Sequence, residues 1–391
     1  MKKMPEIKTL EGSKAIAEVV RNCEPEVVAC YPITPSTHIA EEMNKYYANG
    51  EIKTFIAVES EFSALSALVG GAAAGARTFT TTSSQGLLLM HEVLFNAAGM
   101  RLPIVMVVAN RAVSAPLSIW NDEQDSISQR DTGWIQLYCK NNQEAVDTIP
   151  QAYEIAESTQ LPVMVCIDGH YLTHAVEQIE IPEKKEIEEW LPKPKPPFIL
   201  DPENPISLGV YANPTHYQNF REDLHADLQK AREKIVETGK RFGEKFGRAY
   251  GLFEEYHSKE AEFVLLGLGS VMDNVKAVVD ELRKEGEKIG ALHLRCFRPF
   301  PGEELKKALA GKIVGVVERD LSLGAKPPVY TEVFEAVRDT GAIVSSFHGG
   351  MGGRNITRTE IRELFKKLET KKPLDEWIAK SIQKSSAQSY E

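Results

Sequence analysis

The chain has 391 residues, 42% hydrophobic and 26% charged, with a net charge of −10. That balance belongs to an ordinary globular protein with room for two or three domains, and its acidity speaks against nucleic acid as the main partner. No basic-then-apolar segment opens the chain and no apolar run nears the roughly 18 residues of a membrane span, so no membrane is expected and the cytoplasm is the expected compartment.

Helical periodicity over residues 11–20 is followed by a strand at 26–30 and a helix at 35–47. Between these last two runs Tyr31-Pro32-Ile33-Thr34-Pro35-Ser36-Thr37. Two prolines three apart fix two φ angles and bias Tyr31 and Thr34 toward extended backbone. A turn this stiff presents the Thr34 hydroxyl at the C-terminal edge of a sheet, where open α/β folds bind ligands.

A strand at 55–58 leads into a helix beginning near Glu61. Over residues 63–76 that helix is almost wholly Ala, Leu, Ser, Val and Gly. It has no charged face, which predicts burial on every side. Glu61 at its mouth reads two ways: a helix-start acid held by backbone N–H groups and the dipole, or a partly desolvated carboxyl able to exchange a proton.

A β-rich stretch at 78–82, a helix at 86–98 and an apolar strand at 104–108 come next. Arg111 follows that strand on the same sheet edge. Its planar fork suits a carboxylate ligand, or alternatively a structural ion pair with Asp122 or Asp125. The polar cluster Gln124-Asp125 and Ser128–Gly133 either orders the Arg111 loop or meets a partner. His91 reads as packing or interface. A strand at 134–138, a helix at 142–158 and a strand at 163–167 complete an alternation that predicts a parallel sheet covered on both faces.

Composition shifts at residues 181–205, where Pro192, Pro194, Pro196 and Pro197 lie among Lys and Glu, as in a linker or surface arm. A charged helix at 217–246 has a solvated or bridging pattern. A second α/β unit holds strands at 262–266, 290–294 and 312–317 and a helix at 273–285. Gly267-Leu268-Gly269-Ser270-Val271-Met272 falls short of a dinucleotide fingerprint at Met272, and no acid closes the next strand, so it reads as a tight turn. Gly349-Gly350-Met351-Gly352-Gly353 is permissive backbone that could approach an anion or a neighbouring chain. Cys23, Cys30, Cys139, Cys166 and Cys296 are scattered singly and read as buried small hydrophobes, with no metal cluster in this chain. The expected domains are 1–250 and 258–370, with a tail at 371–391.

Together, Thr34, Glu61 and Arg111 bring a hydroxyl, a carboxyl and a guanidinium to one sheet edge, as a site for a small carboxylate beside a proton-exchanging cofactor would require.

Several stretches carry a family resemblance. They are Tyr31–Ser36, Val58-Glu59-Ser60-Glu61, Ser84-Gln85-Gly86 through Met90, Asn110-Arg111, Ile119–Asp125 and Gln129–Trp134. They resemble the α subunit of 2-oxoacid:ferredoxin oxidoreductases, in particular the multi-subunit pyruvate branch. Phe297-Arg298-Pro299-Phe300-Pro301 resembles the transketolase C-terminal-like domain of that subunit. The resemblance implies an α/β fold: a thiamine diphosphate pyrimidine-binding domain followed by a transketolase C-terminal-like domain. It gives Glu61 the pyrimidine N1′ and the proton relay that activates the thiazolium, and Thr34 and Arg111 the substrate oxygens.

It also implies what this chain lacks. Only Ile167-Asp168-Gly169 comes near the Gly-Asp-Gly…Asn pattern that holds diphosphate and Mg²⁺. Mg²⁺, [4Fe–4S] clusters and coenzyme A are therefore expected with partners: a β subunit with the diphosphate domain, γ and δ subunits with ferredoxin-type clusters, and ferredoxin. The expected reaction is oxidative decarboxylation of pyruvate to acetyl-coenzyme A. The alternatives are a branched-chain 2-oxoacid such as 2-oxoisovalerate, a silent scaffold subunit, and a nucleotide-dependent dehydrogenase.

Overall fold

The seven residues Ile104–Asn110 are all buried, which places this strand at the centre of a sheet covered on both faces. The computed structural model describes residues 7–378. These divide into two units, residues 7–254 with 294–301, and residues 255–293 with 302–378.

The first unit begins β1 (Ile7–Glu11), α1 (Gly12–Asn22), β2 (Val27–Cys30), α2 (Thr37–Ala48), β3 (Thr54–Ala57), α3 (Glu61–Ala73) and β4 (Thr78–Thr82). It continues α4 (Ser84–Leu89), α5 (His91–Gly99), β5 (Ile104–Asn110), α6 (Gln124–Ile127), β6 (Ile135–Cys139), α7 (Asn142–Thr159) and β7 (Val163–Asp168). β8 (Val176–Glu180), α8 (Lys184–Trp190) and α9 (Pro214–Phe246) follow. The main sheet runs Cys296–Arg298, β6, β7, β5, β4, β2, β3. Only the Cys296–Arg298 edge is antiparallel; β2 to β7 pair in parallel. β1 and β8 form a separate antiparallel pair, Ile7 opposite Glu180. Helix α3 packs on β2, β4 and β5, and α7 on β5, β6 and β7.

Three expectations need correction. Helix α3 is not buried on every side: Phe62 is 39% exposed, and Ser66 and Gly70 one and two turns on are exposed too. Its composition reports the lack of a charged face, which is not the same as a cover supplied by this chain. The helix expected at 86–98 is two helices, α4 and α5, joined at Met90. Residues 181–205 are not all linker, because α8 is closed by a capping box between Glu183 and Glu186. Its Ile187 and Trp190 are buried, Trp190 standing edge-on to Phe242 at 5.5 Å.

Helix α9 both packs and projects. Ala231, Ile235, Thr238, Gly239 and Phe242 lie at helical spacing and are buried, whereas Tyr217 and Phe220 are exposed. It starts at an Asn213 cap followed by Pro214 and ends at Gly247, whose φ of 82° suits glycine. All five cysteines are buried.

The second unit is a parallel sheet in the order Ile289–Leu294, Phe263–Gly267, Ile313–Glu318, Ile343–His348 and Asp375–Trp377. The last strand lies in the stretch expected as tail, and residues 379–391 lie outside the described residues. Gly269 turns the chain with φ 64°, and Met272 is fully buried against Gly267, so the turn serves packing. Gly349–Gly353 folds as a short 3₁₀ turn, Met351–Gly353, behind Gly350. Residues 297–301, expected in the second domain, fall in the first unit because Cys296–Arg298 pairs with β6. No helix among the described residues is long and apolar enough to cross a membrane.

Candidate functional site

Parallel strands deliver their C-termini to one edge, and three of these ends carry Thr34, Glu61 and Arg111. After β2, the turn is closed by Ser36, whose N–H and hydroxyl each bond to the Ile33 carbonyl at 2.8 Å. Thr34 stands exposed at its tip. After β3, the Ser60 hydroxyl caps α3 by accepting from the Ser63 N–H at 3.3 Å. Glu61 is then the first helical residue, only 6% exposed. Arg111, 7% exposed, directly follows β5. The three strands are not successive in the sheet, because β4 lies between β5 and β2.

Arg111 and Thr34 are brought into contact, though not through the hydroxyl. Arg111 Nη1 donates to the Thr34 carbonyl at 3.0 Å, and Nε to the Ser118 carbonyl at 2.8 Å. Two carbonyls orient the guanidinium without neutralising it, and burial lowers its pKa. Among the described residues no carboxylate forms an ion pair with it; Asp125 accepts the Arg111 backbone N–H instead, at 3.0 Å. The structural ion pair is therefore absent, and the Asp125 cluster orders the Arg111 loop.

Glu61 faces the opposite situation. Burial pushes its carboxyl above the usual range, opposed only by its own backbone N–H. No basic side chain among the described residues pairs with it. Across from it α4 presents Gly86, where a methyl group would lie 2.4 Å from Glu61 Oε1 and 2.6 Å from Thr82 Oγ1. Only glycine leaves that space open. Thr82 Oγ1, Ser83 Oγ and Gln85 Nε2 nearby are buried without a hydrogen-bond partner among the described residues. Buried polar atoms are rarely left so, and a ligand with donors and acceptors would satisfy them. Sequence reasoning gave no role to Gly86; the signal was a glycine two residues into a helix that directly follows a strand.

His91, read as packing or interface, is exposed; its Nδ1 lies 2.5 Å from Gln129 Oε1, and its ring stands edge-on to Phe95. Asp168-Gly169 is a close-packing feature of β7. A Cβ on Gly169 would lie 2.3 Å from the Asn110 carbonyl and 2.6 Å from Pro35.

A buried carboxyl and a buried guanidinium, neither in a side-chain ion pair among the described residues, thus share one sheet edge. The first suits a weakly basic ring nitrogen, the second a carboxylate.

Comparison with known proteins places the chain in a family. Residues 18–240 match the family model described as "Pyruvate flavodoxin/ferredoxin oxidoreductase, thiamine diP-bdg", and residues 261–361 match "Pyruvate:ferredoxin oxidoreductase core domain II". The chain is 44% identical over 377 residues to pyruvate synthase subunit PorA of Methanothermobacter thermautotrophicus, covering 95% of this chain and 98% of that protein. It is 47% identical to the PorA of Methanosarcina barkeri, over 93% and 92% of the two chains. Ketoisovalerate oxidoreductase subunit VorA of Pyrococcus horikoshii is 44% identical, over 91% and 92%. The fold is also that of the 2-oxoglutarate:ferredoxin oxidoreductase of Magnetococcus marinus, solved with 2-oxoglutarate, coenzyme A and succinyl-CoA bound. The TM-score is 0.73 at 19% identity, over 93% of this chain and 65% of that one. Both family models lie in order along the chain and the curated relatives match over nearly their full length: the chain belongs to the pyruvate:ferredoxin oxidoreductase family.

Proposed function

We propose that this chain is the α subunit of a pyruvate synthase, which with its partners converts pyruvate and coenzyme A to acetyl-coenzyme A, CO₂ and reduced ferredoxin, reversibly. The observation that carries the reading is a buried carboxyl, Glu61, and a buried guanidinium, Arg111, on one sheet edge with no side-chain ion pair to either among the described residues. The thiamine diphosphate pyrimidine fits the Glu61 end, where Gly86 leaves a cradle and Thr82, Ser83 and Gln85 offer unsatisfied polar atoms. When bound, thiamine diphosphate supplies the carbon nucleophile that attacks the 2-oxoacid.

The work of this chain is to hold and to move a proton. Glu61, whose carboxyl burial raises above its usual range, would hold the proton at the ring nitrogen N1′. Arg111, aimed by the Thr34 and Ser118 carbonyls, receives the substrate carboxylate, and the exposed Thr34 hydroxyl is available to a second substrate oxygen. Diphosphate, Mg²⁺, [4Fe–4S] clusters and the coenzyme A and ferredoxin contacts belong to β, γ and δ subunits in this reading. The pyruvate assignment is supported by PorA relatives at 44–47% identity. Purifying the tagged chain with its native partners and assaying acetyl-coenzyme A formation tests it; faster turnover of 2-oxoisovalerate than of pyruvate would overturn it.

Two expected results arise here. Expressed alone, the chain should be colourless and unable to retain thiamine diphosphate, because it holds only the pyrimidine end. Adding a subunit with Gly-Asp-Gly…Asn should restore retention, and tight Mg²⁺-dependent binding by the lone chain in calorimetry would contradict this. Gly86→Ala should crowd Glu61 and slow cofactor C2-proton exchange in the complex by about tenfold or more, a loss typical of roughly ångström misplacement. Its KM for the 2-oxoacid should stay within about threefold of wild type, since a change of that size is under 1 kcal/mol; equal losses in both would place Gly86 elsewhere.

A further inference from the structure

One buried acid on this edge takes no part in the proposed chemistry. Asp125, 0% exposed, sits in the first turn of the short helix α6 and gathers four donors. Its Oδ2 accepts the Ser84 N–H at 2.8 Å and the Arg111 N–H at 3.0 Å. Its Oδ1 accepts Asn110 Nδ2 at 2.7 Å and its neighbour Ser126 N–H at 2.8 Å.

We propose that Asp125 is a positioning residue that fixes the spacing between Glu61 and Arg111, by holding the start of α4 and the end of β5 on a single carboxylate. The inference rests on the roles proposed above for Glu61 and Arg111. Ser84 opens α4, and two residues on Gly86 forms the wall against the Glu61 carboxyl. Arg111 is the residue whose guanidinium meets Thr34. One oxygen of Asp125 therefore ties the backbone at the end of β5 to the start of α4, which directly follows the adjacent strand β4.

The group must be a carboxylate to do this. An asparagine presents one oxygen and one NH₂, and the NH₂ would face two donors, so two of the four bonds would be lost wherever it pointed. Burial outweighs the pull of these donors and leaves the Asp125 carboxyl pushed up to about 7. A charge buried at such cost is retained where nothing else satisfies the geometry. Ser84 holds a left-handed backbone, φ 48°, which a non-glycine residue keeps only when its surroundings enforce it. The Ser84 hydroxyl, 2.6 Å from the Ala112 carbonyl, adds a second tie, so losing Asp125 loosens the edge without releasing it.

The test uses the complex purified through a tagged chain, with Asp125→Asn compared with Glu61→Gln and Arg111→Ala. Asp125→Asn is expected to raise the 2-oxoacid KM and to slow C2-proton exchange of bound thiamine diphosphate together, each by about tenfold, as loss of two buried hydrogen bonds implies. The coenzyme A KM should not move. Hydrogen exchange of backbone amides, read on peptides, should quicken at the donors facing the new NH₂, Ser84 and Arg111 or Ser126, and stay unchanged over residues 104–108. If Asp125→Asn shifts only one of the two kinetic readouts, or neither, while the other two variants behave as expected, the positioning role is overturned and the site reading stands. If Glu61→Gln and Arg111→Ala move nothing, the site reading falls and the positioning role falls with it. Should Asp125→Asn fail to assemble, Asn110→Ala removes one of the four donors and carries the same test: both kinetic readouts should shift by about threefold, and a shift in one alone overturns the proposal.

Discussion

Glu61→Gln is expected to leave the complex assembled and thiamine diphosphate bound, yet to slow exchange of the cofactor C2 proton by about 10²–10⁴-fold, the usual contribution of a positioned acid–base group. The amide fills the same space at the start of α3, so the Ser60 cap and the contact with Gly86 are kept. What is lost is a proton that can be shared. Stability should move the other way above the raised pKa of the carboxyl. Because burial raises the folded carboxyl, the ionised form is the one the fold disfavours, and that cost grows as pH rises through the raised pKa. The neutral glutamine escapes it, so above that pH the variant should unfold at the higher temperature. Wild-type C2 exchange in the variant would reduce Glu61 to a helix-start acid.

For Arg111→Ala the expected result is a large rise in the 2-oxoacid KM with little change in that for coenzyme A. Removing one partner of a charged pair in a desolvated site costs on the order of 2–5 kcal/mol, roughly 30-fold to several thousand-fold in affinity. Arg111→Lys should recover little, because a point charge cannot accept the fork geometry set by the Thr34 and Ser118 carbonyls. A change under threefold in the alanine variant, less than about 1 kcal/mol, would mean that the guanidinium serves only to bind those two carbonyls.

Much of this site was legible because alternation of strand and helix leaves little freedom. Once 26–30, 55–58 and 104–108 read as parallel strands, Thr34, Glu61 and Arg111 had to share an edge. What sequence could not give was the neighbour across the sheet. β4 enters between β5 and β2, and its fully buried Thr78–Thr82 run carries no local mark of that position. The Thr34 carbonyl, rather than its hydroxyl, meets Arg111, a choice made by backbone direction within a turn. Helix α8 hid in linker-like composition because only two of its residues, Ile187 and Trp190, are buried. The pairing of β1 with β8 joins segments more than 160 residues apart, beyond any local pattern. Asp125 was visible as part of a polar cluster, but four donors converging on one carboxylate is a tertiary fact.

The return of residues 294–301 to the first unit bears on how this gene can be cut. The chain leaves the first unit at 254, comes back at 294 and leaves again at 301. On that return Cys296–Arg298 lines the β6 edge. Arg295 reaches Glu144 at 3.4 Å, Thr148 at 3.1 Å and Gln151 at 3.3 Å, all on α7. A stop codon near 255 would strip a strand from one margin and withdraw a cation from the buried Glu144. Neither unit is a detachable cassette, so recombination that exchanged one half between relatives would have to carry both crossings, and descent should have kept the two halves together.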